Sequence, residues 1–334
     1  MPLKSSPSPA SDTPVPSIKP PHTVWELIND YAYPSKLKVY MVLDARRLKD
    51  NVNVCIKRIS KVTKEVTIAQ YLASNQDSRN HCTPVWDDFR DPDLPDVSYM
   101  VMPVLRDFND PEFGARGEVV DFVTQMLEGM TFMHSQGVAH SDLTAVNIMM
   151  DARPILPRGW HFSAPRSAPN GYGNLKPFAR IDHPVRYYII NFDNAVRFLP
   201  GQSSIVKGLG GRDSDPPELA TTHIPFDHFK LDVFTLGNVF LKELKNKYLS
   251  LDFLDGLLTM MMTRDYRKRT TAQAALDYWV KVRDSIPVAS ARWPLRKPEE
   301  SVGEAVVNTF TAAREGVHNL RYLFEHDKRK WDTL

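Results

Sequence analysis

Residues 138–151 read V-A-H-S-D-L-T-A-V-N-I-M-M-D, and the reading of the whole chain turns on them. Val138 and Ala139 lead into His140, Asp142 follows, and Asn147 precedes an apolar run that closes on Asp151. A short loop between two apolar segments can present one acid and one amide together. Asp142 is an anionic side chain that can take or orient a hydroxyl proton. Asn147 is an oxygen donor that can hold a magnesium ion nearby. Transfer of a phosphoryl group asks for both kinds of group. The alternative is a loop whose Asp and Asn only cap turns.

Working outward, residues 118–136 carry apolar positions at helical spacing and run into Gly137, which predicts a long core helix that delivers the chain into this loop. On the other side, residues 187–198 (Y-Y-I-I-N-F-D-N-A-V-R-F) predict a strand followed by a polar turn. Upstream, residues 37–48 and 51–59 read as strands, the second rich in β-branched residues around Lys57. Residues 60–74 space Val66, Ala69, Leu72 and Ala73 for an amphipathic helix that contains Glu65. Residues 84–89 and 97–105 predict two further strands, and residues 22–33 a short helix. Taken alone, Lys57 reads as a snorkelling strand residue and Glu65 as a solvated helix face.

Several of these segments resemble motifs of eukaryotic protein kinases. Residues 140–147 resemble the catalytic loop H-R-D-x-x-x-x-N, and Val54-Cys55-Ile56-Lys57 resembles the V-A-I-K strand. Pro216-Pro217-Glu218 resembles A-P-E, residues 231–240 the pattern D-x-W-x-x-G, and residues 260–279 the Arg-containing end of the large lobe. The likeness covers about residues 37–280, in the family's order. It implies an α+β, two-lobed protein kinase-like fold. The small lobe, a β-sheet plus one helix, would take residues 23–105, and the mostly α-helical large lobe residues 106–281. It also implies roles. Asp142 would be the catalytic base, with Lys57 on the nucleotide phosphates and paired to Glu65. Met102 would be the gatekeeper, with Pro103 and Leu105 offering backbone groups to the base of ATP. Asn147, Asn191 and Asp193 are the candidate magnesium ligands. Glu218 would pair with Arg269, and Asp232 would hold the backbone of the catalytic loop.

The chain also departs from that family. It has no glycine before Gly114, so the usual glycine-rich phosphate cradle is missing. Asn191-Phe192-Asp193 stands where D-F-G would, which puts a neutral amide in place of the metal carboxylate. Thr144 stands for the loop lysine. Ser141 stands for the arginine that receives an activation-loop phosphate, so Ser203, Ser204 and Ser214 lack the usual receptor. These departures predict a pseudokinase or catalytically impaired kinase with weak ATP binding, acting as a binding or regulatory module on a protein partner. An active divergent serine/threonine kinase with a protein substrate is the alternative. A small-molecule phosphotransferase is disfavoured by Glu218, Asp232 and Arg269.

Composition bounds the rest. The 334 residues are 42% hydrophobic and 25% charged, as in an ordinary soluble protein. A formal charge of +2 gives no argument for nucleic acid or an anionic membrane. Cys55 and Cys82 make neither a disulfide framework nor a zinc site, which suits a reducing compartment. There is no apolar run of about 18 residues, and the first residues lack a signal-peptide core, so cytoplasmic or nuclear residence is expected. Residues 1–22 are rich in Pro and Ser and predict a disordered tail. Residues 152–186 form an insertion rich in Pro, Arg and aromatics, either a surface loop or a partner contact. Residues 282–334 form an extension with an amphipathic helix over 302–324, packed on the large lobe or binding a partner.

Overall fold

The computed structural model describes residues 25–27, 42–60, 64–90, 94, 96–208, 211–220 and 224–298. The expected tail at 1–22 and helix at 302–324 lie outside these residues. Within them the chain is mixed α+β. Strands β1 (Trp25–Leu27), β2 (Val42–Arg47) and β3 (Val52–Ser60) come first, then helix α1 (Glu65–Ala73), then β4 (Asp87–Arg90) and β5 (Val97–Pro103). The five strands form one antiparallel sheet in the order β1-β2-β3-β5-β4.

Strand alternation decides what each face of this sheet carries. Val54 and Ile56 of β3 point to one side and bury with Ala45, Val97, Tyr99 and Val101, covered by Trp86 and Phe89. Cys55, Lys57 and Ile59 point to the other side. In register, Cys55 lies opposite Asp44 and Met102, and Lys57 opposite Val42 and Met100. Helix α1 covers this second face with a stripe of Glu65, Ile68, Ala69 and Leu72, the i, i+3, i+4, i+7 spacing of one helical side.

The expected helix at 22–33 is not what forms at its described residues. Trp25–Leu27 pair antiparallel with Ala45–Arg47 instead. The edge of β2 presents unpaired backbone groups, and an extended segment satisfies them where a short isolated helix gains little.

The remainder is built around helix α2 (Arg116–Ser135), which follows the short strand β6 (Arg106–Asp107). Helix α2 buries Phe122, Val123, Met126, Leu127, Met130 and Met133, and Phe122 stacks on Phe108 at 4.7 Å between centroids. It stops at Gly137, whose φ is +73; a Cβ there would lie 2.5 Å from the Phe198 carbonyl oxygen. Glycine is the residue that can turn the chain here. Next come β7 (Val138–Ala139), β8 (Ile148–Asp151), β9 (Arg186–Ile189), β10 (Val196–Arg197), β11 (Ile205–Val206) and β12 (Phe226–Asp227). Strands β6, β8 and β9 pair as one small sheet, and β7 pairs with β10. Helices α3 (His228–Phe240), α4 (Asp255–Met261) and α5 (Ala272–Ser285) complete the described elements. Asp227 caps α3 by accepting from the Phe229 and Lys230 amides, and Thr271 caps α5. One continuous core runs from Ile59, Leu72 and Met100 through α2 to Trp279.

Residues 152–185 form no helix or strand, but they are not a bare loop. Ile155 and Leu156 are buried, the Phe178 amide donates to the Ile155 carbonyl, and bridges link His161 to Ala164 and Ser167 to Asn174. No helix among the described residues is long and apolar enough to cross a membrane.

Candidate functional site

Lys57 sits on the α1-facing side of β3 with 12% of its side chain exposed. Glu65, the first residue of α1, is buried beneath it, and the ammonium nitrogen lies 2.6 Å from Glu65 Oε1. The same nitrogen donates to Asn191 Oδ1 at 2.7 Å. Asn191 Nδ2 donates to Asn147 Oδ1 at 3.1 Å, and Asn147 Nδ2 donates to Asp142 Oδ2 at 2.9 Å. Glu65, Lys57, Asn191, Asn147 and Asp142 thus form one hydrogen-bonded line from the five-stranded sheet to the loop after β7. Lys57 and Asn191 are 134 residues apart in the chain.

The loop is held from below by its backbone. Asp232 of α3, wholly buried, accepts from the His140 amide and the Ser141 amide, each at 2.7 Å. His134 Nε2 lies 3.0 Å from the same carboxylate. Ser141 adopts a left-handed φ of 64 between these two anchored amides and Asp142. Its hydroxyl lies 2.9 Å from His228 Nδ1, and burial lowers the pKa of that imidazole. His140 packs its ring on Phe192, which anchors the turn after Asn191. Asn191 is itself left-handed, with φ 67 and ψ 71, and this turns its amide back onto Lys57.

Asp142 is 1% exposed, and its second oxygen is also engaged. The Arg212 amide donates to Asp142 Oδ1 at 2.8 Å, and Arg212 Nε lies 3.8 Å from Oδ2. Gly211 makes this approach possible: a Cβ there would lie 2.5 Å from Asp142 Oδ1 and 2.6 Å from the Ser141 carbonyl oxygen. Glu218 and Arg269 form a buried bidentate pair at 2.5 and 2.9 Å.

Other expected site residues lie differently. Met102 is half-buried on the Lys57 face, opposite Cys55, whose thiol burial pushes up to about 12. Pro103 has no N–H, so only its carbonyl could meet a ligand, whereas Leu105 has both groups. Asp193 is exposed and makes no side-chain hydrogen bond or ion pair among the described residues. The donor set does not suit magnesium. Asn147 and Asn191 are neutral amides, Asp142 is the carboxylate hydrogen-bonded at that end of the line, and hard cations prefer several anionic oxygens. No group of three or more His, Cys, Asp or Glu among the described residues could hold a metal ion.

Sequence reasoning missed Gly211 and Arg212 as neighbours of Asp142, and His134 and His228 as partners of Asp232 and Ser141. The glycines at 208, 210 and 211 were the available signal for a close backbone approach.

No family model matches this chain. Over 48 residues, 14% of its length, it is 46% identical to the serine/threonine-protein kinase chk1 of Schizosaccharomyces pombe. The match spans 10% of that protein. The similarity supports a kinase-like relationship.

Proposed function

We propose that this chain is a two-lobed, protein kinase-like module impaired in phosphoryl transfer, which binds nucleotide weakly and acts through a protein partner. The observation that carries this reading is the pairing of Lys57 with Asn191. Its ammonium group is held by Glu65 and by Asn191, an amide at the position that would need a magnesium carboxylate. Two of its three ammonium donors are thereby used, which leaves one for an incoming phosphate. Asp142 is similarly engaged, with Asn147 on one oxygen and the Arg212 amide on the other. A substrate hydroxyl must displace the Gly211–Arg212 segment to approach it. With the metal donors weak, neither charge neutralisation nor positioning of the γ-phosphate is well supplied.

A second reading, an active divergent kinase, draws on the intact Lys57–Glu65 pair and on the contact of Asp142 with Asn147. A thermal-shift titration with ATP, with and without magnesium, separates the two. The impaired module gives a small rise in melting temperature to which magnesium adds little. A large magnesium-dependent rise, abolished by Asp193→Ala, overturns it in favour of the active enzyme.

A further inference from the structure

The insertion between β8 and β9 is chemically one-sided. Residues 152–185 contain Arg153, Arg158, Arg166, Lys176 and Arg180 against one acid, Asp182, which pairs with Arg292 outside the insertion. Two of these cations have structural work. Arg180 is buried against the Tyr187 hydroxyl and the Pro111 carbonyl, and Arg153 is clamped by Asp151. The other three, Arg158, Arg166 and Lys176, are exposed and make no side-chain ion pair or hydrogen bond among the described residues.

Beside them lie two hollows. One, of about 330 Å³, opens between Trp86, Pro103 and Val104 on the sheet side and Arg153, Arg158 and Trp160 on the insertion side. The other, of about 400 Å³, lies within the insertion, walled by Ile155, Pro169, Leu175 and Phe178 with Lys176 at its edge. They share the wall formed by residues 156–159, so Arg158 borders both. Phe178 is 51% exposed. The surface is braced from behind. Ile155 and Leu156 are rooted in the core, and the buried Arg106 lies under the Trp160 ring, 5.7 Å from its centroid.

We propose that this double hollow is a docking groove for an extended acidic segment of a partner protein, with apolar side chains in the hollows and carboxylates on Arg158 and Lys176. Charge complementarity selects the occupant: cations that lack acids of their own chain face a ligand that supplies them. Apolar walls set with proline and tryptophan suit an extended peptide, and a braced surface loses little entropy on binding. A nucleic acid fits less well, because it calls for more cations along a continuous track and the chain as a whole carries only +2. Neither Lys57 nor Asp142 lines the groove, although Pro103, expected to meet the base of ATP, stands on the wall of the first hollow.

The test is fluorescence anisotropy with the full chain and three labelled probes: a short peptide of Glu, Pro and Leu, its Lys, Pro and Leu counterpart, and an oligothymidine. The acidic peptide binds, and added salt weakens it. Arg158→Glu and Lys176→Glu each weaken it about tenfold, as expected for reversal of a charge at an interface. Both variants keep the parent melting temperature, because both positions are exposed. The proposal is overturned by no binding of the acidic peptide, by equal binding of the basic one, by tighter binding of the oligonucleotide, or by unchanged affinity in both variants.

Discussion

Glu218→Ala tests the packing of the helical part through one buried ion pair. The Arg269 side chain is inaccessible to solvent, and that of Glu218 is 4% exposed. Arg269 donates twice to Glu218, and also to the Thr263 carbonyl at 2.9 Å and the Lys230 carbonyl at 2.6 Å, with Phe234 against its guanidinium. Removing Glu218 strands a cation that water cannot reach. Breaking such a pair costs about 3–5 kcal/mol. The two carbonyls remain and keep part of the solvation, which favours the lower end, about 3 kcal/mol. For a domain of this size that lowers the melting temperature by roughly 6–12 °C. Urea denaturation followed by far-UV circular dichroism measures the free energy directly. The double variant Glu218→Ala with Arg269→Met removes the stranded charge and should regain much of the loss. A loss below about 1 kcal/mol in the single variant, or no recovery in the double one, refutes the argument.

Asp121 offers a test by pH. Burial raises its carboxyl to about 6, against the opposing pull of Gln125, His81 and Arg180. A folded pKa above the unfolded one means the native state is destabilised as pH climbs from the ordinary carboxylate range through about 6. Asp121→Asn should therefore stabilise the protein at pH 8 and lose that advantage at acid pH. Water reaches part of this side chain, so the gain is about 1–2 kcal/mol. A pH-independent difference between the two proteins in denaturation curves contradicts the assignment. Asn191→Asp adds a carboxylate beside Lys57 and Asn147, and should convert a weak, metal-insensitive ATP response into one strengthened by magnesium in calorimetric titration. Unchanged magnesium dependence would show that the amide is not the element that weakens the site.

Much of this arrangement was legible in the sequence because it rests on local rules. The alternation Val54, Ile56 against Cys55, Lys57 fixes which face carries the lysine, and the stripe through Glu65 and Leu72 fixes which side of α1 meets it. The stop of α2 at Gly137 and the five-residue gap from Asp142 to Asn147 set the loop. The rest depended on partners far along the chain. Asn191 reads as a poor metal ligand until Lys57 is seen to claim its oxygen. Gly211 and Arg212 have no local periodicity, and only closure of their segment brings them onto Asp142. Trp25–Leu27 has helical-looking neighbours, but the open side of β2 decides its conformation. The insertion resembles a bare loop by composition, whereas Ile155 and Leu156 root it in the core.

The grip of Asp232 on residues 140 and 141 reads main-chain hydrogens, which every amino acid except proline possesses. Side-chain identity still matters at position 141, which is buried and left-handed with its hydroxyl on His228. Position 144, half-buried with an extended backbone, can change while these main-chain bonds stay put. A scaffold anchored in this way can lose or regain a trade without being rebuilt.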